Sequence, residues 1–103
     1  MAKYKFSRFD PAKYLKSDEA IVEFLNATVE ENPDDSAALM RAVETVIRAR
    51  NMSQVARDAG ISREGLYKAF SESGNPSFET VQRVLSAIGL RIAFEPAEGA
   101  KAA

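Results

Sequence analysis

Residues 51–71 read NMSQVARDAGISREGLYKAFS, and this stretch decides the predicted fold. Ser53 is a residue type that caps helix N-termini, and Gly60 can adopt the positive φ angle at which helices end. The chain then restarts at once, because Ser62 is a second N-cap and residues 63–71 follow a helical period. Two short helices joined by a turn of about three residues predict a helix-turn-helix motif.

The second helix of this motif carries polar side chains that suit contact with DNA. Outside its predicted apolar stripe lie Arg63, Glu64, Tyr67 and Lys68. Arginine can pair bidentately with guanine, and both cations suit phosphate oxygen atoms. The structural alternative is a solvated pair of Glu64 with Lys68 at i,i+4 spacing. We predict a DNA-reading helix in which Arg63 and Lys68 are the main contacts.

The start of the second helix leads to two further predictions. The hydroxyl of Ser62 and the free N–H groups of residues 63–65 form a natural seat for a phosphate. Gly65 lies in mid-helix, where glycine costs about 1 kcal/mol relative to alanine. Such a cost indicates that something approaches closely there, most simply the DNA backbone or a neighbouring helix.

The composition limits the classes of function. The chain of 103 residues suits one domain, and 46% of the residues are hydrophobic, which is enough for a modest core. Cysteine and histidine are absent, which removes disulfides, thiolate metal sites and the commonest general base. We expect no enzymatic activity and no cofactor, because no nucleophile–base pair or glycine-rich phosphate loop is visible. No signal peptide or membrane span is visible either, so we expect a cytoplasmic protein.

The net charge of −1 is distributed unevenly along the chain. Residues 1–16 carry five basic residues and one acid, and residues 36–68 carry six basic residues and three acids. Residues 17–35 carry seven acids and no base. A basic centre beside an acidic helix suggests two surfaces with different partners, since charged patches set the local field. The alternative is that the acids complement a helix dipole and maintain solubility.

Two leading helices are predicted before the motif, in residues 17–50. Ser17 is the expected cap of the first, and Pro33 separates the two because proline cannot continue a helix. Arg48 and Arg50 end the second helix. They either neutralise helix C-terminal carbonyl groups or contact phosphate.

A closing helix and a short strand are predicted after the motif. The motif and the closing helix together span residues 51–89. Residues 90–95 alternate in polarity, which predicts a strand with Leu90, Ile92 and Phe94 on one face. Because a lone strand cannot satisfy its backbone groups, it must pair with the N-terminal segment or with the same strand of a second subunit.

The two ends of the chain are less informative. Residues 1–16 predict a short strand or an extended basic arm, which could equally be disordered. Residues 96–103 have nothing to bury, and we expect a frayed tail. The predicted architecture of residues 1–103 is therefore a single, mainly α domain of about five helices with a short C-terminal β-strand.

Two stretches of the chain resemble known DNA-binding proteins. Residues 36–89 resemble the helix-turn-helix core of the lambda-repressor-like (Xre) class. Residues 60–92 read GISREGLYKAFSESGNPSFETVQRVLSAIGLRI and resemble more specifically the probable addiction-module antidote proteins, a group of small HigA-like antitoxins. In that family a Ser-Arg-Glu-x-Leu-Tyr-Lys helix is followed by Gly-Asn-Pro and a helix ending in Ala-Leu-Gly-Leu. This chain carries each element and ends the helix with Ala-Ile-Gly-Leu at residues 87–90.

The resemblance implies the antitoxin of a type II toxin–antitoxin module. Such a protein sequesters a small basic RelE/ParE-like toxin encoded beside it and represses its own operon by binding operator DNA as a homodimer. The resemblance also implies a set of DNA-binding residues. These match the recognition helix or positions where this fold class often contacts phosphate: Ser53, Gln54, Ser62, Arg63, Glu64, Tyr67, Lys68 and Asn75. Gly74 also matches a position where this fold class often contacts phosphate. The predicted dimer interface comprises Leu90, Ile92 and Phe94 with the closing helix.

Two other functions stay open from the sequence. One is a stand-alone Xre-type, phage-like transcriptional regulator. The other is a protein-interaction module in which the acidic region and the N-terminal arm hold a basic partner and DNA binding is lost. Pull-down with the product of the neighbouring gene would discriminate the protein-interaction module from a protein that binds operator DNA, although the resemblance implies both activities together.

Overall fold

The computed structural model describes residues 15–97, which form five α-helices joined by short turns. In chain order they are α1 (Asp18–Glu31), α2 (Ser36–Arg50), α3 (Met52–Ala59), α4 (Arg63–Ala69) and α5 (Phe78–Ile88). α1 packs on α2, and α3 contacts α2, α4 and α5. The predicted mainly α fold of about five helices is confirmed for this part of the chain. None of the described helices is long and apolar enough to cross a membrane.

The predicted arm of residues 1–16 lies outside the described residues except for its last two positions. The end of the predicted tail, residues 98–103, lies outside them as well. The single domain over residues 1–103 stays a prediction.

Each helix begins after a side chain that accepts a hydrogen bond from an N–H group of the first turn, as helix N-caps do. The N-caps of α1 to α5, in order, are Ser17, Asp35, Asn51, Ser62 and Ser77. The prediction of Ser53 as the cap of α3 was wrong. Asn51 caps that helix, and Ser53 is an exposed residue of its first turn.

Asn51 joins α2 to α3 without an intervening loop. Its N–H group donates to the carbonyl oxygen of Ile47 at 3.0 Å and so ends α2. Its side-chain Oδ1 accepts from the N–H group of Gln54 at 3.1 Å and so starts α3. Among the described residues it is the one non-glycine residue with positive φ, at 118°. Asparagine is one of the few side chains that tolerate a positive φ angle in folded proteins.

The core is apolar and draws side chains from all five helices. No polar or charged residue is buried among the described residues. The residues that are completely inaccessible to solvent are Leu15, Ile21, Val46, Ile47, Leu66 and Val84. Ala56 of α3 is 2% exposed, so this small side chain lies inside the packed core. Removing one of the large side chains from such a core costs about 2–5 kcal/mol.

An ion pair connects the end of α2 to the start of α1. The guanidinium group of Arg50 donates a hydrogen bond to Oδ1 of Asp18. The sequence left the role of Arg50 open between helix carbonyl groups and phosphate. In the folded chain it bridges the two leading helices, which pack together through the apolar core.

The turn between α4 and α5 passes against the end of α4 at Gly74. A Cβ atom at Gly74 would lie 2.2 Å from the carbonyl oxygen of Lys68 and 2.4 Å from that of Ala69. Only glycine allows the backbone to approach this closely without displacing α4. Gly74 therefore has a structural reason to be glycine.

The predicted C-terminal β-strand at residues 90–95 is not present. This segment forms neither helix nor strand, and no strand is present among residues 15–97. The N–H group of Leu90 donates to the carbonyl oxygen of Leu85 at 2.8 Å, after Gly89 has adopted a φ of 98°. The alternation of polarity predicted a strand, but Leu90 closes α5 and packs on the core. The apolar residue after a helix-ending glycine often makes such a contact.

The junction at Asn51 gives a stability prediction. Asn51→Ala removes the cap and leaves a Cβ atom at positive φ, so we expect the free energy of unfolding to fall by about 1–2 kcal/mol. Asn51→Gly also removes the cap, but glycine adopts positive φ freely and costs an N-cap only a few tenths of a kcal/mol. Urea unfolding followed by circular dichroism measures both variants. Equal losses of stability would contradict backbone strain at Asn51.

Candidate nucleic-acid interface

α3 and α4 form a pair of short helices separated by three residues. α3 ends at Gly60, whose φ is 74°, and the N–H group of Ile61 donates to the carbonyl oxygen of Ala56 at 2.9 Å. α4 then begins directly after Ser62. The two helices pack against each other, so the position of α4 is set by α3 and by the core beneath both.

α4 separates its apolar and polar side chains clearly. Leu66 and the residue that ends the helix, Phe70, are buried in the core. The remaining side chains with chemistry suited to DNA are all exposed: Arg63, Glu64, Tyr67 and Lys68. Tyr67 is 54% exposed, so most of this aromatic side chain stays outside the core. The polar face predicted from the sequence is therefore available for contact.

Three of the predicted residues meet in one surface depression. Arg63, Glu64 and Tyr67 line it, together with Arg48 of α2 and Met52 of α3, and its volume is about 440 Å³. The depression combines two guanidinium groups, one carboxylate and an aromatic ring. These groups can donate to base edges or phosphates, accept from an amino group and stack on a base.

Arg48 lines this depression, and the sequence left its role open between helix carbonyl groups and phosphate. Its Nε and Nη2 atoms donate to Oε2 of Glu44 at 3.0 and 2.7 Å. These hydrogen bonds and the charge of Glu44 raise the pKa of Arg48 above its usual value. The guanidinium carbon lies 6.0 Å from the centre of the Tyr67 ring, within the range of a cation–π contact.

Arg48 contacts residues on two helices. Its guanidinium group pairs with Glu44 of α2 and lies over the ring of Tyr67 of α4. The i,i+4 spacing of Glu44 and Arg48 is a signal in the sequence that could have predicted their pairing. The contact with Tyr67 joins α2 to α4 and required the tertiary structure.

Ser62 and Gly65 are in direct contact at the start of α4. Ser62 Oγ accepts from the N–H group of Gly65 at 2.9 Å. A Cβ atom at Gly65 would lie 2.9 Å from the same oxygen, which is closer than real Cβ contacts. The close approach expected at Gly65 therefore comes from the helix's own cap, and neither DNA nor another helix is needed to explain it. The cap also occupies one of the three N–H groups of the predicted phosphate seat.

Ser53 and Gln54 lie in the first turn of α3 and are exposed. The side-chain amide of Gln54 is already engaged within the helix. Its Nε2 donates to Asp58 Oδ1 at 3.0 Å, and its Oε1 accepts from Arg57 Nη1 at 2.9 Å. A phosphate contact from Gln54 would have to use or replace these bonds, whereas the hydroxyl group of Ser53 is reached directly from solvent.

Lys68 and Asn75 do not line the depression beside Arg63. Lys68 is exposed further along α4. Asn75 lines a separate apolar groove that includes Pro76 and Phe78. The structure therefore brings Arg63, Glu64 and Tyr67 together and leaves Asn75 with different neighbours.

Comparison with known proteins places this arrangement in a family. The family model described as "Probable addiction module antidote protein" matches residues 5–96. The chain belongs to this family. An uncharacterized protein of Haemophilus influenzae (strain ATCC 51907 / DSM 11121 / KW20 / Rd) is 52% identical over 83 residues, which cover 81% of this chain and 84% of that protein. No solved structure matches the chain.

Membership of the antidote family points to an antitoxin role in an addiction module and implies a toxin as partner. This antidote protein needs a surface for that partner, and the depression at α4 is not the only concave surface it offers. The apolar groove that contains Asn75 is a second one.

Proposed function

We propose that this antidote protein is the antitoxin of a type II toxin–antitoxin module. It neutralises a small basic RelE/ParE-like toxin and represses its own operon by binding operator DNA as a homodimer. The observation that supports DNA binding is the depression in which Arg63 and Tyr67 of α4 lie beside Arg48 of α2. Operator and toxin are both intracellular partners, so the proposed localisation is cytoplasmic.

The proposed DNA-binding unit is the α3–α4 pair, acting as a HigA-like helix-turn-helix of the lambda-repressor-like (Xre) class. α4 lies in the major groove, and its first residue, Arg63, donates to the O6 and N7 atoms of a guanine. Lys68 and Ser53 bind phosphates on either side. Tyr67, held by the guanidinium group of Arg48, packs against the sugar or a base edge.

A carboxylate in this surface limits how the DNA is bound. Glu64 repels phosphate, so it is compatible with DNA only where it accepts from a cytosine amino group or orients a neighbouring cation. Arg63 lines the same depression and is the nearest candidate in sequence. The mixture of charges favours a positioned set of contacts over a non-specific basic patch.

Dimerisation follows from the length of α4. Its seven residues can contact few base pairs, so one copy cannot select an operator. Two copies of α4 separated by about 34 Å match successive major grooves on one face of the DNA. The proposed interface uses Leu90, Ile92 and Phe94 with α5. Phe94 is 90% exposed and is the side chain of this set most available to a second subunit.

DNA binding is tested by two substitutions on α4 in mobility-shift titrations over a salt series. Arg63→Ala should lose about 1–3 kcal/mol of discrimination at one base pair. Lys68→Ala should weaken binding to every sequence and make the salt slope less steep by about one unit. The control is Arg83→Ala on α5, an exposed arginine paired with Glu79 and outside the depression. A wild-type affinity that ignored salt would exclude DNA binding by this surface.

Dimerisation is tested by sedimentation at micromolar protein concentration. Phe94→Asp should shift the protein toward monomer, because it places a charge in the proposed apolar contact. Since Phe94 is almost fully exposed in the single chain, the substitution should leave the melting temperature of the monomer unchanged. Ala97→Asp, which adds the same charge three positions further on, is the control. A Phe94→Asp variant that stayed dimeric would remove this segment from the interface.

Toxin neutralisation is tested with the purified product of the reading frame adjacent to this gene. We expect a stable complex of the two proteins and loss of the growth arrest that the adjacent product causes when expressed alone. A chain that binds operator DNA but not the adjacent product would instead be the stand-alone regulator. A chain that binds the adjacent product but no DNA would be the protein-interaction module.

A further inference from the structure

A second concave surface lies between the leading helices and α5. It has a volume of about 740 Å³ and is lined by side chains of α1, α2, α5 and the segment that follows α5. Its lining is mainly apolar and includes Val22, Met40, Phe78, Val81 and Ile92. Val22 is 41% exposed and Phe78 is 66% exposed. Exposed apolar side chains that gather in one groove are typical of an interaction site.

The groove is separate from the proposed DNA-binding surface. The depression at α4 is lined by Arg48, Met52, Arg63, Glu64 and Tyr67, and none of these lines the groove. A partner bound in the groove would therefore leave those side chains of α4 uncovered. Leu90 and Ile92 of the proposed dimer interface line the groove, whereas Phe94, the most exposed member of that interface, does not.

The α1 edge of the groove is acidic. Val22 also lines a shallow depression whose other members are Asp18, Glu19 and Glu23. Residues 17–35 carry seven acids and no base. Asp18, at the start of α1, pairs with Arg50. Arg91 is the basic residue among the groove-lining side chains, and it lies in the segment after α5.

We infer that this groove, which we call the α1–α5 groove, binds the toxin through a segment that carries apolar side chains flanked by lysine or arginine. This inference rests on the proposed antitoxin function and states which surface of the molecule binds the toxin. The apolar side chains of the partner fill the space between Val22 and Phe78. Its basic residues face the acids of α1, because complementary charges steer encounter and fix the orientation of two partners.

A second copy of this chain fits the groove less well. In a two-fold dimer the same patch meets itself, so the acidic edges of both α1 helices would be brought together. Like charges brought together at an interface are unfavourable. A basic partner gains from the same acids, and this difference decides the assignment.

The inference is tested with two matched substitutions on α1. Val22→Arg and Val29→Arg replace the same residue, at 41% and 46% exposure, and change the charge of α1 equally. Val22 lines the groove and Val29 does not. Titration calorimetry with the purified adjacent gene product should show binding at least about 30-fold weaker for Val22→Arg, the size of a hot-spot loss, and near wild type for Val29→Arg.

A third variant distinguishes a loss of toxin binding from misfolding caused by Val22→Arg. Phe78→Asp places an acid at the first position of α5, where the helix dipole favours it, and removes the other exposed apolar side chain of the groove. We expect the same loss of toxin affinity. The circular dichroism spectrum and the melting temperature, which report the rest of the fold, should stay at wild-type values for all three variants.

Each alternative outcome overturns the inference in a recognisable way. Wild-type protein that fails to bind the adjacent gene product would overturn the antitoxin function together with the groove. Wild-type binding that survives both Val22→Arg and Phe78→Asp would overturn the groove and leave the antitoxin function standing. Unchanged toxin affinity with loss of dimer on sedimentation would show that a second copy occupies the groove. Unchanged toxin affinity with an unchanged dimer would exclude both the toxin and a second copy from the groove.

Discussion

Asn51 must end one helix and start the next within a single residue, and the proposed DNA-binding surface depends on this constraint. Its backbone N–H group closes α2, and its side chain opens α3. Because no loop separates the two helices, the last turn of α2 lies beside the start of α3, and Arg48 reaches Tyr67 on α4. The positive φ of Asn51 is the local cost of that short connection.

The uneven charge of the chain corresponds to two surfaces in the folded molecule. The six basic residues of the central region include Arg48 and Arg63, which meet at α4. The acids of residues 17–35 lie mostly on α1, which borders the apolar groove. A nearly neutral total charge therefore conceals one surface with cations and an aromatic ring and another with acids beside exposed apolar side chains. Local potential, and not net charge, governs which partner each surface attracts.

The glycines illustrate where reasoning from sequence stopped short. Gly60 and Gly89 were predictable as helix ends, because a positive φ angle after an apolar period is a local signal. Gly65 was recognised as costly, but the reason for it, the oxygen of Ser62, is visible only in the three-dimensional contact. The strand expected after Gly89 was wrong for a related reason. An alternating pattern of about six residues occurs in strands and also in irregular segments in which single apolar side chains contact the core. The pattern alone cannot distinguish the two.

The sequence by itself determined the helices, the caps of α1 and α4 and the polar face of α4, because hydrophobic period and capping are local properties of the chain. It also carried the motif that places the chain in the antidote family. Only the tertiary structure decided that Arg48 joins Arg63 and Tyr67, that Asn75 lies apart from them, and that Val22 and Phe78 share a groove. These residues are far apart in the chain. They meet because the core fixes the angles between helices, and those angles depend on packing among all five helices at once.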